Sequence, residues 1–560
     1  MKRLSLILAP VALLFMVNSA QAGDADKVLQ SMKTELDRNM AQLSIPDYPR
    51  PYFIAYLMRE AEAYSVGARF GAPVVKREDR QRVIYIDMRV GDPDLDNTMD
   101  RYPGFDMPFV YNPYANRAPL ADDDKALRTV LWKLTDKEYK KAVASYLKVK
   151  AQRVYKRKDP DFAGCFAPAP KVEHVGESEE FIDDFQKYQD ITVALSRQLS
   201  EVDFIHDSSA NFDASRSHRF FVNSEGTQVH TSDLFLSFNV QAQARSEDGS
   251  VVPHSFVLYA RKIKDLPSQK ELEKRVAQLV TELDALRQAE VMQPFNGPAL
   301  LEGDTAGVFL HEALGHRLEG HRQSGGDEGG TFSGKVGDQI LPEFISIVDD
   351  PTMPRFGGTT INGYYQYDDE GVAAQKVTLV DKGKLSGFLL TRRPLEMFKK
   401  SNGHARSSGP QRPVARMGTL IMSSDKTVPF KDLKKELVRL AKKQGKKFGI
   451  ILRNAASGAT NTSSWGFQAF KGVARLVYQV DVKTGKEKLV RGVELVGTPL
   501  ASLMKIVTVG DDAALFNGFC GAESGFVPVS TLTPSLILSE LELQKSPPRR
   551  EQKEVIPPPQ

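Results

Sequence analysis

The sequence is poor in cysteine, has no decisive excess of either charge, and carries no long apolar run after its first residues. Two cysteines, Cys165 and Cys520, stand among 560 residues. At most one bridge can form, which excludes a disulfide framework as the source of stability. Lys and Arg number 75 against 71 Asp and Glu, a formal charge of +4. That near balance shows no broad basic footprint, so no nucleic-acid partner is expected. The basic stretch "KEYKKAVASYLKVKAQRVYKRK" (137–158) reads as a solvated helix face. No later segment has 18 uninterrupted apolar residues, so stable insertion of a helix in a membrane is not expected. No internal repeat is visible.

The N-terminus has the pattern of a leader. "MKR" is a basic start, Leu4–Val17 is apolar but too short to span a bilayer, and "AQA" (20–22) offers the small-x-small pattern of a signal peptidase site. Residues 1–22 are therefore expected to be a signal peptide cleaved after Ala22, which also removes Lys2 and Arg3. The mature chain is expected to be exported, to the periplasm in a Gram-negative host or otherwise outside the cell.

The remaining length calls for more than one core. Residues 23–290 read as a mixed α/β N-terminal domain. "ADKVLQSMKTELDRNMAQLS" (25–44) has helical apolar spacing, as do 122–156 and 188–202. "YFIAYLMRE", "YSVGARFG" and "RVIYIDMRV" read as three strands, and 203–261 as a β-meander with turns at "SEGT" and "EDGS". In 267–289, Leu272, Val276, Leu279, Leu283 and Leu286 share one helical face. Residues 291–545 read as an antiparallel, β-rich C-terminal domain with helices near 391–400 and 428–445, the turns "DKGK" and "KTGK", and a Gly-rich loop at 323–339. The Pro-rich end, 546–560, is expected to be a disordered tail. The fold class is α+β.

The densest chemistry lies in "VFLHEALGHRLEGH" (308–321). His311, Glu312 and His316 sit in a predicted helix that Asp304 or Thr305 can cap. At roughly 100° per residue, histidines five apart point about 140° away from each other, so a regular helix cannot close both on one ion. A single π-bulge, with about 4.4 residues per turn, brings them to roughly 50°. Gly315 lowers the barrier to such a distortion. A metal site thus predicts irregular backbone between 311 and 316, with Glu312 near enough to serve as general base and acid. Two imidazoles suit zinc, which lowers the pKa of a bound water to about 7. The pattern alone leaves open a helix flank that is simply rich in histidine.

The segments around it extend the pattern. "FLHEALGHRLEGH" is followed by "FSGKVGDQI" (332–340), "YDDEGVAAQ" (367–375), "SNGHARSSGPQRPVARM" (401–417), "GATNTSSWGFQAFKGVARLVY" (458–478) and "GFCGAESGFVPVS" (518–530). In this order they resemble the TldD/PmbA family of metallopeptidases, in its TldD-like catalytic branch, from about 291 to 543. "RPYFIAYLMREAEAYSVGARFG" adds a weaker likeness in the N-terminal half.

The resemblance implies that Cys520 is the third metal ligand beside His311 and His316, with Glu312 as the catalytic residue and one zinc per subunit. It implies a metallopeptidase acting on linear or unfolded peptides, as a homodimer or as a heterodimer with a family paralogue. Cys165 matches no family role and reads as a buried thiol. Tyr364, His404 and Arg406, on glycine-containing segments, are candidates for substrate contact. The 450s loop, "RNAASGATNTSSWGFQAF", departs from the glycine run common in the family, which bears on substrate preference rather than on metal chemistry. Two other readings remain: a non-catalytic partner subunit, which in the family lacks the H-E-x-x-x-H pattern, and a metal hydrolase of a non-peptide amide or ester.

Overall fold

The computed structural model describes residues 16–99, 116–155, 163–323, 330–464, 466–547 and 550–551. The first 15 residues of the expected leader, the centre of the Gly-rich loop (324–329) and most of the expected tail (548–549 and 552–560) lie outside the described residues.

The N-terminal half contains α1 (Met16–Gln42), β1 (Pro51–Arg69), β2 (Ala72–Val90), α2 (Asp124–Tyr155), β3 (Glu173–Val175), α3 (Phe185–Ser200), β4 (Ile205–Asn223), β5 (Gln228–Arg245), β6 (Val251–Ala260) and α4 (Gln269–Gln288). The six strands form one sheet in the order β2-β1-β4-β5-β3, with β6 on β5. Two of the three strands expected before residue 90 are one: β1 runs unbroken through Glu60–Ala63, because these polar residues pair with β4 on one side and β2 on the other. The chain reverses at Phe70 and Gly71, both at positive φ, as a two-residue hairpin turn requires.

The period-2 pattern divides this sheet's faces. Ile54, Tyr56, Met58, Tyr64 and Val66 point to the side covered by the four helices, where they bury against residues such as Met32, Leu131, Leu195 and Leu279. Phe53, Ala55 and Leu57 point to the other side, against Phe166 and Tyr367. That second face receives the C-terminal half. The α4 helix opens with a capping box between Ser268 and Glu271, which satisfies two otherwise unpaired amides.

The C-terminal half begins with β7 (Glu290–Val291), β8 (Phe295–Leu301) and α5 (Gly303–Ala313), then β9 (Ile345–Asp349), β10 (Arg355–Phe356) and β11 (Thr359–Thr360). Next come β12 (Val377–Asp381), β13 (Lys384–Leu385), β14 (Ala405–Arg406), β15 (Val414–Ala415), β16 (Thr419–Ser424) and α6 (Phe430–Lys443). It closes with β17 (Phe448–Thr460), β18 (Phe470–Asp481), β19 (Glu487–Arg491), β20 (Val493–Gly497), α7 (Pro499–Leu503), β21 (Ile506–Ala522) and β22 (Gly525–Lys545).

Twelve of these strands make one largely antiparallel sheet, in which β16–β22, β8–β17 and β7–β19 pair in parallel. Leu300, Ile451 and Ile537 face α6, while Leu301, Leu452 and Leu536 face the core that holds α5. The helix expected at 391–400 is absent: Pro394 interrupts it and Leu395 bridges Phe398 instead. The expected 450s loop is the second half of β17, paired with β18 through Thr460 across a bulge at Ala455/Ser457. At the chain's end, Ser546 donates to the Gly492 carbonyl and Arg550 bridges Ser250.

Candidate metal centre

The α5 helix is seated by its small residues. Gly303, Gly307 and His311 follow at four-residue spacing and so share a face. A Cβ at Gly303 would meet Ala514 Cβ at 2.2 Å, and one at Gly307 would meet Thr531 Oγ1 at 2.2 Å. Only glycine lets the helix lie this close to the β21–β22 hairpin, and this contact brings His311 to Cys520 on β21. No side chain caps the start of α5: Glu302 is the N-cap, and Asp304, expected as a cap, accepts from the Ala455 amide instead.

The expected irregularity between 311 and 316 is present, in a different form from a π-bulge. The α-helix ends at Ala313, Leu314 takes φ −120° and ψ −55°, and a 3₁₀ turn runs over Gly315–Leu318. Arg317, only 1% exposed, holds this break: its guanidinium donates to the carbonyls of Glu312 (2.8 Å) and Asn461 (2.9 Å) and to Thr460 Oγ1 (2.8 Å). Breaking the helix turns His316 back toward His311, so their ring centres lie 4.9 Å apart, nearly perpendicular.

His311 Nε2 and His316 Nε2 each lie 3.2 Å from Cys520 Sγ, and the three donor atoms fall within 4.8 Å of one another. Tetrahedral zinc, with bonds of about 2.0–2.1 Å to nitrogen and about 2.3 Å to sulfur, sets nitrogen and sulfur roughly 3.5 Å apart. The donor spacing therefore fits a divalent ion after a shift of a few tenths of an ångström.

Electrostatics point the same way. Burial opposes ionisation of Cys520, but the imidazoles of His316 and His311 outweigh it and hold the thiol well below its ordinary range. Burial also works against a charged His316, yet Glu319 and the Cys520 sulfur push it up to about 10. His311 is raised, with Cys520 overcoming burial. A thiolate flanked by two imidazoles that hold protons is a site where a dication can take the place of those protons.

All three donors, together with Glu312, line a cleft of about 1180 Å³. One wall is β6 and α4 of the N-terminal half; the other is the second half of β17 and β21. The side chain of Glu312 packs against Gly458, and burial raises its carboxyl above the usual range despite the pull of His311 and His316.

The three residues expected to touch substrate do not line this cleft. His404 is fully buried, with Nε2 on Asp349 (3.2 Å) and Nδ1 at Asn402. Arg406 is buried over the Tyr365 ring. Tyr364 sits beside Arg261, which donates to its carbonyl at 3.0 Å. The imidazole of His404 and the guanidinium of Arg406 are used within the packing. Cys165 is a free, buried thiol, pushed by burial to about 11; Cys520 is free as well.

Sequence reasoning missed Arg317, Glu319, Arg322 and Arg416, all buried around the centre, and the half-buried Glu523. Glu319 alone left a signal, three residues after His316 and three before Arg322.

Residues 295–545 match the PmbA/TldA metallopeptidase C-terminal domain. A metalloprotease of Archaeoglobus fulgidus is 30% identical over 239 residues, covering 42% of this chain and 51% of that protein. A zinc metalloprotease TldD homolog of Saccharolobus solfataricus is 25% identical over 247 residues, covering 44% of this chain and 51% of its own length. The match thus spans about half the length of these relatives. The structure of TldE from Thermococcus kodakarensis superposes with a TM-score of 0.57 at 14% identity, covering 88% of this chain and 97% of that one; at that identity the likeness shows the α+β fold. Residues 295–545 thus carry the sequence of a PmbA/TldD-type metallopeptidase domain, and over that half the chain is similar to TldD homologues.

Proposed function

We propose that the chain is an exported, zinc-dependent peptidase of linear or unfolded peptides, in which His311, His316 and Cys520 hold the metal and Glu312 moves the proton. The observation that carries this reading is the convergence of three buried donors, from positions more than 200 residues apart, on a cleft that also exposes a carboxylate. The zinc named for the S. solfataricus relative supports the choice of metal. Two imidazoles and a thiolate suit zinc on chemical grounds as well.

When bound, the ion supplies Lewis acidity and makes a water acidic near neutral pH. The residues of the chain do the rest. Glu312, its carboxyl raised by burial, accepts the proton of the attacking water as the new C–O bond forms. It then delivers that proton to the amide nitrogen as the C–N bond breaks, leaving a carboxylic acid and an amine, between which the remaining proton passes to give carboxylate and ammonium. The walls formed by β6 and β17 hold the peptide and limit water around the reacting bond. A dimer with a TldE-like paralogue would enclose the cleft further, and the fold shared with TldE supports that pairing.

The test is Glu312→Gln on the purified mature chain. We expect about one zinc per subunit, unchanged thermal stability and no peptide cleavage; retained turnover would remove Glu312 from its role. Cys520→Ser is expected to lower zinc affinity and Cys165→Ser to leave it unchanged. N-terminal mass mapping of protein from the periplasmic fraction is expected to find Gly23 first.

A further inference from the structure

The chemistry above leaves unused a group of charges buried directly behind His316. Glu319 is 0% exposed, and its two oxygens lie 3.2 and 3.3 Å from His316 Nδ1. The same carboxylate takes a 2.7 Å hydrogen bond from Arg322 Nε and stands 3.4 Å from Arg416 Nε. Arg416 is also 0% exposed. Its Nη2 donates to the carbonyl of Cys520 itself (2.7 Å), and its Nη1 donates to Ser524 Oγ (2.9 Å) and the Gly525 carbonyl (3.1 Å). Arg322 completes the group by donating to Glu523 at 2.9 Å. Two guanidiniums thus balance two carboxylates, and the burial of each charge is compensated.

This arrangement has a direction. A carboxylate on Nδ1 favours a proton there, and so leaves Nε2, which lies beside Cys520 Sγ, as the nitrogen that would give up its proton to a metal ion. One guanidinium then ties that carboxylate to the backbone of the residue bearing the thiolate. The two donors come from elements 204 positions apart, yet they share one buried ionic scaffold.

Resting on the metal reading above, we propose that Glu319 is the positioning residue of the metal centre, orienting His316 for coordination through Nε2, and that Arg416 fixes the Cys520 strand to it. Neither touches substrate or metal. Carboxylates in this relation to a ligating histidine commonly change metal affinity 10–100-fold when removed.

The experiment measures zinc dissociation constants by chelator competition for the wild type, E319Q, R416K and D369N, with melting temperatures for each and the visible spectrum of the cobalt-substituted forms. E319Q is nearly isosteric; R416K keeps the charge but cannot span Glu319 and the Cys520 carbonyl, and it carries the test if E319Q does not fold. D369N breaks another ionic contact of the same protein, the one with Arg59 and Arg219, and leaves the Glu319, Arg322 and Arg416 contacts in place. We expect zinc to be held about 10–100-fold more weakly by E319Q and at least about tenfold more weakly by R416K, with altered cobalt spectra. D369N is expected to melt lower but to bind zinc within about twofold of the wild type. Wild-type affinity in E319Q overturns the proposal, as does an equal loss in D369N, which would mark a generic effect of instability. A wild type that binds no zinc overturns the metal reading itself and this inference with it, a result distinct from the first.

Discussion

At Gly458 the backbone of β17 passes so close to the proposed general base that no side chain fits. A Cβ there would lie 2.5 Å from Glu312 Cγ, 2.6 Å from Oε1 and 2.8 Å from Val308 Cγ1. Gly458→Ala should therefore push the carboxylate aside while leaving all three donors in place. We expect peptide cleavage to fall by about 100-fold, the usual scale for a displacement near 1 Å, with zinc content unchanged; full activity would show that Glu312 has room to spare. The spacing of His311, Glu312 and His316 was legible because the three lie within six residues and carry their chemistry in their identities. Glu319 and Arg416 were not, since a buried charge is recognised only by its partner, and Arg416 lies 97 positions from Glu319 in the chain. Polar residues beside loop glycines suggest a site, but their surroundings are not legible: Asp349 and Met417 engage the side chains of His404 and Arg406 inside the fold, and Arg261 binds the carbonyl of Tyr364.

The elements differ in how well local pattern reveals them. Helices with an apolar stripe, such as α4, were legible nearly to the residue, and its capping box was written in Ser268 and Glu271. The break after α5 was expected but its form was not, because tertiary partners decide it: Arg317 supplies the bonds that reward the break, and Met417 fills the space beside it. A Cβ on Gly315 would meet Met417 Sδ at 2.1 Å. Gly315→Ala should destabilise the protein by about 1–3 kcal/mol, the range for overpacking, as read by denaturant unfolding.

Strands β4 and β5 carry a second testable feature. His218 and His230 face each other at 3.2 Å, with Phe220 packed on His230 and Arg216, Arg219 and His174 nearby. Burial and His218 lower His230 from the ordinary 6.5 to about 4. Between these values the unfolded chain binds the proton and the folded one resists it, so this contribution is intact above pH 6.5 and is lost as pH falls toward 4. The slope is at most about 1.4 kcal/mol per pH unit for this group. His230→Phe should flatten the decline of melting temperature over that interval.

For the molecule as a whole, the sheet face that carries Phe53, Ala55 and Leu57 also presents Arg59 and Arg219 to Asp369, at 2.6 and 2.8 Å. Arg392 reaches back to Glu225 at 2.7 Å. These contacts set β6 and α4 opposite β17 and so define the width of the cleft. Asp369→Asn leaves two buried guanidiniums short of their counter-charge and should cost about 3–5 kcal/mol, measured by calorimetry. Apolar spacing pointed to a mixed α/β half followed by a β-rich half, because cores are written in it. Which faces meet was not legible, since the motif "YDDEG" names the acids without naming the arginines some 150 and 310 positions earlier that answer them.

One more consequence follows from the distance along the chain between the two imidazoles and the thiolate. The ribosome delivers this polypeptide from its first residue onward, so His311 and His316 emerge long before β21 exists. Until that late hairpin docks against α5, the growing protein holds only two of the three donors. On the proposed function, a nascent or truncated product would be unable to degrade itself or its neighbours, and proteolytic competence would arrive late in maturation.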